Sequence, residues 1–197
     1  MEILTIGTSI HSLEHYLDLL RQHRVTVVAD VRSVPASRHT PQFNRNALRA
    51  VLEQSGIRYV FLGKELGARS ADPNCYVDGK VQYERLARTP EFAAGIERLL
   101  DGATRERIAI TCTEQKPVDC HRTILVSRAL AERGVHVEHI LGDGATETHE
   151  ETMFQLRKKY GLDEPTLFDD DDEQMERALA LQEAKIAYVD HELAASR

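Results

Sequence analysis

Five short runs rich in β-branched and apolar residues, at positions 3–6, 25–31, 57–62, 107–111 and 135–141, alternate along the chain with segments of helical periodicity. Dense β-branched runs suit strands buried on both faces, and strands alternating with helices build a parallel sheet. The expected fold class is therefore α/β, a three-layer, open, mainly parallel sheet flanked by helices. Ser12 opens the first helix ahead of Leu13, Tyr16, Leu17 and Leu20, and a second spans 44–54 before Gly56. Pro90 starts a third through Phe92, Ile96 and Leu99, and a fourth covers about 119–133 and closes at Gly134. Positions 63–83 break the rhythm with Gly, Asp, Pro, Asn and Lys in no period. An excursion of that length suits a lid over a cleft or an idle insertion.

A chain of 197 residues is long enough for one domain and an appendage. Residues 1–145 are expected to form the α/β domain and 146–197 an acidic helical extension. The formal charge of −7 is concentrated after position 150, the body before it being close to neutral, which leaves room for a local basic cleft. In the extension, 150–159 reads as helical, 161–168 as extended and 175–193 as an amphipathic helix. The four aspartates from Asp169 to Asp172 read as a solvated preface to that helix, where acidic groups favour the dipole. Its apolar face offers a surface for a homodimer. The six residues EPTLFD at 164–169 are similar to short peptides that dock sliding clamps through a leucine and a phenylalanine, here Leu167 and Phe168.

Three cysteines are too few for a disulfide framework, no charged start precedes an apolar secretion segment, and no apolar run is long enough to cross a bilayer. A cytoplasmic location and no membrane partner are expected.

Open α/β sheets bind ligands beyond the carboxyl ends of their strands, where Gly7, Asp30, Gly63, Glu114 and Gly142 stand. The stretch TCTEQKPVDCHR at 111–122 ends a strand at a thiol and a carboxylate, then sets Cys120, His121 and Arg122 in the first turn of a helix. Free N–H groups and an arginine there suit a phosphate or carboxylate. The helix dipole favours a thiolate at Cys120, a candidate nucleophile with His121 as its candidate partner, although adjacent helical residues point about 100° apart. Cys112 reads as an inert strand-end hydrophobe and Cys75 as exposed and incidental. Cys112, Cys120 and His121 lack the compact spacing of a zinc knuckle, so neither a metal nor another cofactor is expected.

In the stretch 29–45, Asp30 and Arg32 share a face if the strand continues through both. Asp30 then either orients Arg32 or meets a ligand itself. Arg38, His39 and Arg45 add positive density suited to an anionic small molecule or a nucleic-acid component, and Arg49, Arg58, Lys64 and Arg69 either enlarge it or are solvated surface charges. Glu114 is the candidate acid–base group or electrostatic stabiliser. Paired with Asp30, it could stabilise the charge that develops on a ribose as an N-glycosidic bond breaks. Tyr59 and Tyr83 either stack on a base or pack in the core.

Several separated stretches carry a resemblance: TIGTS at 5–9, DVRSVPASR at 30–38, Phe43 with Asn44, YVFLGKELGAR at 59–69, Tyr83, TPEF at 89–92 and CTEQKPVDCHR at 112–122. In this order they resemble the DUF488 family, a domain of unknown function, through most of residues 1–142. The resemblance implies a compact parallel-sheet α/β domain whose candidate site joins the 30–38 turn to Glu114, Cys120, His121 and Arg122. It implies no established reaction. The chain departs from the family at 65–69, where members are richer in glycine and Ala68 stands here. Three readings follow: an enzyme acting on a nucleotide or nucleic-acid component, a thiol-dependent enzyme using Cys120, and a noncatalytic anion or nucleic-acid binding module.

Overall fold

Alternation within each strand decides which helices cover which face of the sheet. In the computed structural model, which describes residues 1–8, 11–164 and 170–195, the five runs become β1 (Glu2–Gly7), β2 (Val27–Asp30), β3 (Arg58–Phe61), β6 (Ile108–Cys112) and β7 (His136–Ile140). Between β3 and β6 lies a short hairpin of β4 (Tyr76–Val77) and β5 (Lys80–Val81), and after β7 comes β8 (Thr146–Thr148). The main sheet runs β3-β2-β6-β1-β7-β8, parallel throughout except for β8, which pairs antiparallel with β7. β8 has no counterpart in the sequence pattern, because its Thr-Glu-Thr carries no apolar signal and it is held by its ladder with β7 and by contacts to α6.

Leu4, Ile6, Val28, Ala109 and Ile140 point to one face, where α1 (Leu13–Gln22) and α2 (Arg45–Gln54) cover them with Tyr16, Leu20, Leu48 and Leu52. Ile3, Val27, Ala29, Ile108 and Ile110 point to the other, the period-2 complement. That face is covered by α3 (Tyr83–Ala87), α4 (Pro90–Ala103), α5 (Arg128–Ala131) with the π-helical turn Arg122–Ser127 before it, α6 (His149–Lys159) and α7 (Asp171–Ile186). This is the three-layer α/β sandwich. Each fully buried Leu or Ile contributes roughly 1.5–3 kcal/mol. Ser12 caps α1 by accepting from His15 N, and Thr89 caps α4 by accepting from Phe92 N.

Past β8 the chain shares the core of the body: Met153, Leu156, Ala178, Leu179 and Ala187 lie in one hydrophobic cluster with the sheet. The buried face of α7, including Ala178 and Leu179, packs against the body. Asp170 caps α7 in a reciprocal box with Glu173, and Asp171 and Asp172 sit in its first turn. Leu167 and Phe168 lie outside the described residues.

The last helix does not run from 175 to 193. It stops at Ile186 because the segment after it pairs with the hairpin: Val81 N donates to the Tyr188 carbonyl (3.0 Å), and Asp190 N donates to that of Gly79 (2.7 Å). Gly79 has φ +75°, and a Cβ there would meet the Asp190 carbonyl oxygen at 2.6 Å. A short helix, α8 (His191–Ala195), follows. No helix among the described residues is long and apolar enough to cross a membrane.

Candidate functional site

The parallel register brings distant positions to one edge: Gly7 lies opposite Cys112, and Asp30 opposite Thr111. Beyond that edge the loop from β6 turns back under itself. A Cβ at Gly7 would stand 2.1 Å from the Glu114 carbonyl oxygen, so only glycine lets the end of β1 pass this close. Arg122 holds the loop from inside. Its guanidinium is fully buried and donates to the carbonyls of Glu114 and of Gln115 (3.1 Å), with Nε 3.4 Å from the Thr5 hydroxyl. At the far end, Asp119 is fixed by Lys159 (2.8 Å) and Gln182 (3.0 Å), residues of α6 and α7. The helix after the loop starts as a π-turn, in which the Ser127 hydroxyl donates to the Arg122 carbonyl (2.8 Å).

The folded-back loop gathers four chemically active side chains. The Cys112 thiol lies 3.1 Å and the Cys120 thiol 2.9 Å from the same Glu114 carboxylate oxygen, and His121 Nδ1 lies 3.6 Å from Cys112 Sγ. The Arg122 N–H donates to Cys120 Sγ (3.4 Å), and His121 Nε2 donates to the Val31 carbonyl (3.3 Å). Both thiols and His121 are buried, whereas Glu114 is exposed, with its carboxylate turned inward.

Charge couples the group. Its hydrogen bond with Cys120, then burial, push the Cys112 thiol well up. Burial opposes ionisation of Cys120, but the Cys112 bond, Arg122 and His121 outweigh it and hold that thiol well below its ordinary value. Burial likewise opposes a charge on His121, and Cys120 and Glu114 overcome it, so the imidazole is raised. Desolvation of its carboxyl, then the Cys120 sulfur, raise Glu114.

A cavity of about 170 Å³ opens over this cluster. Its lining includes Arg32, Arg69, Cys112, Glu114, His121 and Tyr188. Arg32 and Glu114 thus reach one cleft, with His121 and Tyr83. The other expected site residues do not meet there. Asp30, fully buried, accepts from Arg32 Nε (2.9 Å) and Nη2 (2.6 Å) and from the Tyr59 hydroxyl (2.7 Å), so it orients Arg32 and forms no two-carboxylate site with Glu114. Tyr59 packs with the α1 and α2 layer and is not available to a base. Arg38 is exposed and does not line the cavity, and Arg45 stacks over Phe61 (4.0 Å). Arg122 belongs to the interior and not to an anion site, because backbone carbonyls occupy its fork. Cys120 lies behind the cavity lining, and Cys112, read as inert, belongs to it. Cys75 is buried rather than exposed, since the hairpin packs it into the core.

Sequence reasoning offered Arg69 only as one of four basic residues that either enlarge the positive edge or are solvated surface charges, and gave Tyr188 no place in the site. The Arg69 guanidinium stands 4.3 Å over the Tyr188 ring and has no carboxylate partner among the described residues. Arg69 ends the stretch YVFLGKELGAR, and its N–H docks on the Ser33 hydroxyl (3.0 Å) of the 30–38 turn. Tyr188 had no signal, because its position depends on the tail returning to the hairpin. Ala68, the departure from a glycine-rich turn, has no positive φ and packs against the core, so glycine is not required there.

The sequence model of the family described as domain of unknown function DUF488 matches residues 12–129, more than half of the chain. The match runs from α1 to α5 and contains the loop that gathers Cys112, Glu114, Cys120 and His121. No curated protein and no solved structure matches the chain. Motif order, sheet and match agree, and the chain belongs to the DUF488 family.

Proposed function

We propose that this protein is an enzyme acting on a small anionic substrate, of the nucleotide class, with Glu114 exchanging the proton at the bond that breaks. The observation that carries the reading is that Glu114 and Arg69, a cation without a carboxylate partner among the described residues, line the same cavity. A carboxyl beside a fixed positive charge can meet a phosphate-bearing substrate in one orientation. Arg69 holds the anion, and Tyr188, stacked under it, provides a planar wall. In a nucleotide the group in need of a proton is the departing base, so cleavage of the N-glycosidic bond is the reaction that Glu114 suits. Arg32 shapes the wall and is neutralised by Asp30.

The thiol-dependent reading is less well supported, because Cys120 is buried to 1% exposure and is screened by the carboxylate it bonds. The test is release of free base from a panel of nucleosides and nucleoside monophosphates. Glu114→Gln is expected to lower kcat about 100- to 10,000-fold. Arg69→Ala is expected to raise KM about tenfold for the phosphorylated substrates only. Turnover unchanged in Glu114→Gln, or none across the panel, overturns the reading.

A further inference from the structure

The spacing of Cys112, Glu114, Cys120 and His121 in the chain has no knuckle in it, yet the loop closes them into one. One ligand atom from each, two sulfurs, an imidazole nitrogen and a carboxylate oxygen, lie within 4.8 Å of one another. A tetrahedral zinc ion with bonds of roughly 2.3 Å to sulfur and 2.0–2.1 Å to nitrogen and oxygen has donor-to-donor edges of about 3.3–3.8 Å. Of the six separations, those of 2.9, 3.1 and 3.6 Å are at or inside those edges and the others are at most 4.8 Å, so small side-chain adjustments admit the ion.

The surroundings match what such ligands need. His121 donates through Nε2 to the Val31 carbonyl, which turns its Nδ1 lone pair toward the sulfurs and fixes the ring. Cys120 Sγ receives a backbone N–H from Arg122. Charge also balances: a divalent ion together with the buried Arg122 guanidinium offsets two thiolates and one carboxylate. The guanidinium's own contacts are carbonyls and a hydroxyl, which leave its charge uncompensated by any carboxylate in direct contact.

We infer that Cys112, Cys120 and His121, with Glu114 as fourth ligand, bind one zinc-type divalent ion at the floor of the cleft. Each thiol gives its proton to solvent as its sulfur coordinates. Glu114 is the exposed member, so it is the ligand that exchanges. Its departure opens one coordination position toward Arg69 and frees the carboxyl for proton transfer. The inference goes beyond the reaction proposed above and does not depend on it.

The test is anaerobic titration of the reduced, chelator-stripped full chain with Co²⁺, followed by Zn²⁺. One Co²⁺ per chain is expected, with a sulfur-to-cobalt charge-transfer band and the intense visible bands of a tetrahedral site, all removed by one equivalent of Zn²⁺. Cys112→Ser and His121→Ala should each weaken binding by at least about 100-fold. Glu114→Gln, at an exposed position that leaves the core intact, should keep the charge-transfer band and shift the visible bands. Absence of stoichiometric Co²⁺ uptake by the folded wild-type chain, or uptake with no charge-transfer band, overturns the site. Metal binding without turnover on the substrate panel leaves the site standing and removes the nucleotide reading. Turnover by a chain that binds no metal does the reverse.

Discussion

Two buried polar groups set the balance between stability and chemistry at single residues. Asp30 is fully buried and carries both Arg32 and Tyr59, so Asp30→Asn leaves a guanidinium at 7% exposure without its counter-charge. The expected loss is about 3–5 kcal/mol in urea denaturation. An unchanged midpoint would mean that the pair is not the anchor of the β2 end. The second group is the Thr5, His139 and His149 chain, linked at 2.7 and 3.4 Å. Burial lowers His149 to about 4, with Glu150, Arg128 and Glu132 pulling in both directions, and burial and His149 lower His139. Because the folded values lie below the unfolded one, the unfolded chain binds more protons between pH 6.5 and about 4. Stability is full above 6.5 and falls as pH drops through this window. His149 alone accounts for a loss on the order of 3 kcal/mol by pH 4. Urea midpoints at pH 7.5 and 5 should converge in His149→Gln relative to wild type; an equal acid loss in both chains would contradict this.

At the scale of elements, the site depends on how closely the β1 end passes the loop after β6. Gly7→Ala puts a methyl 2.1 Å from the Glu114 carbonyl oxygen and 2.9 Å from Gln115 Cα, backbone atoms that cannot rotate aside. The expected cost is on the order of 3 kcal/mol, read as a lowered thermal midpoint. A melting curve identical to wild type would show that the loop is not pinned there. The five parallel strands and α1, α2 and α4 were legible because period 2 and period 3.6 are local signals: Ser12 and Pro90 mark their helix starts where they stand, whereas the helix expected over 119–133 begins only after an extended Cys120 and runs through a π-turn into α5. The Asp30–Arg32 pairing was legible from a spacing of two at a strand exit. Other features were not, and three of them share a cause. β8 carries no apolar pattern, α7 yields its last turns to a pairing about a hundred positions away, and the convergence of Cys112 with Cys120 depends on Arg122 drawing the loop back. Each is decided by tertiary contacts, which a linear pattern does not encode.

On the scale of the whole molecule, the acidic extension completes the domain that precedes it. Ile186 and Tyr188 form part of the cavity wall, and Asp119 at the end of the loop after β6 is held by Lys159 and Gln182 from the helices of the extension. Sheet, returning loop and tail thus meet at one cleft of about 170 Å³, whose lining carries the Glu114 and Asp119 carboxyls, Arg32, Arg69 and Cys112, with Cys120 behind. The most direct test is the position of a nucleoside monophosphate soaked into crystals of the full chain. The account predicts the phosphate against Arg69 and the glycosidic bond within reach of Glu114. A phosphate bound elsewhere on the surface, with the cleft free of ligand at saturating concentration, would contradict it.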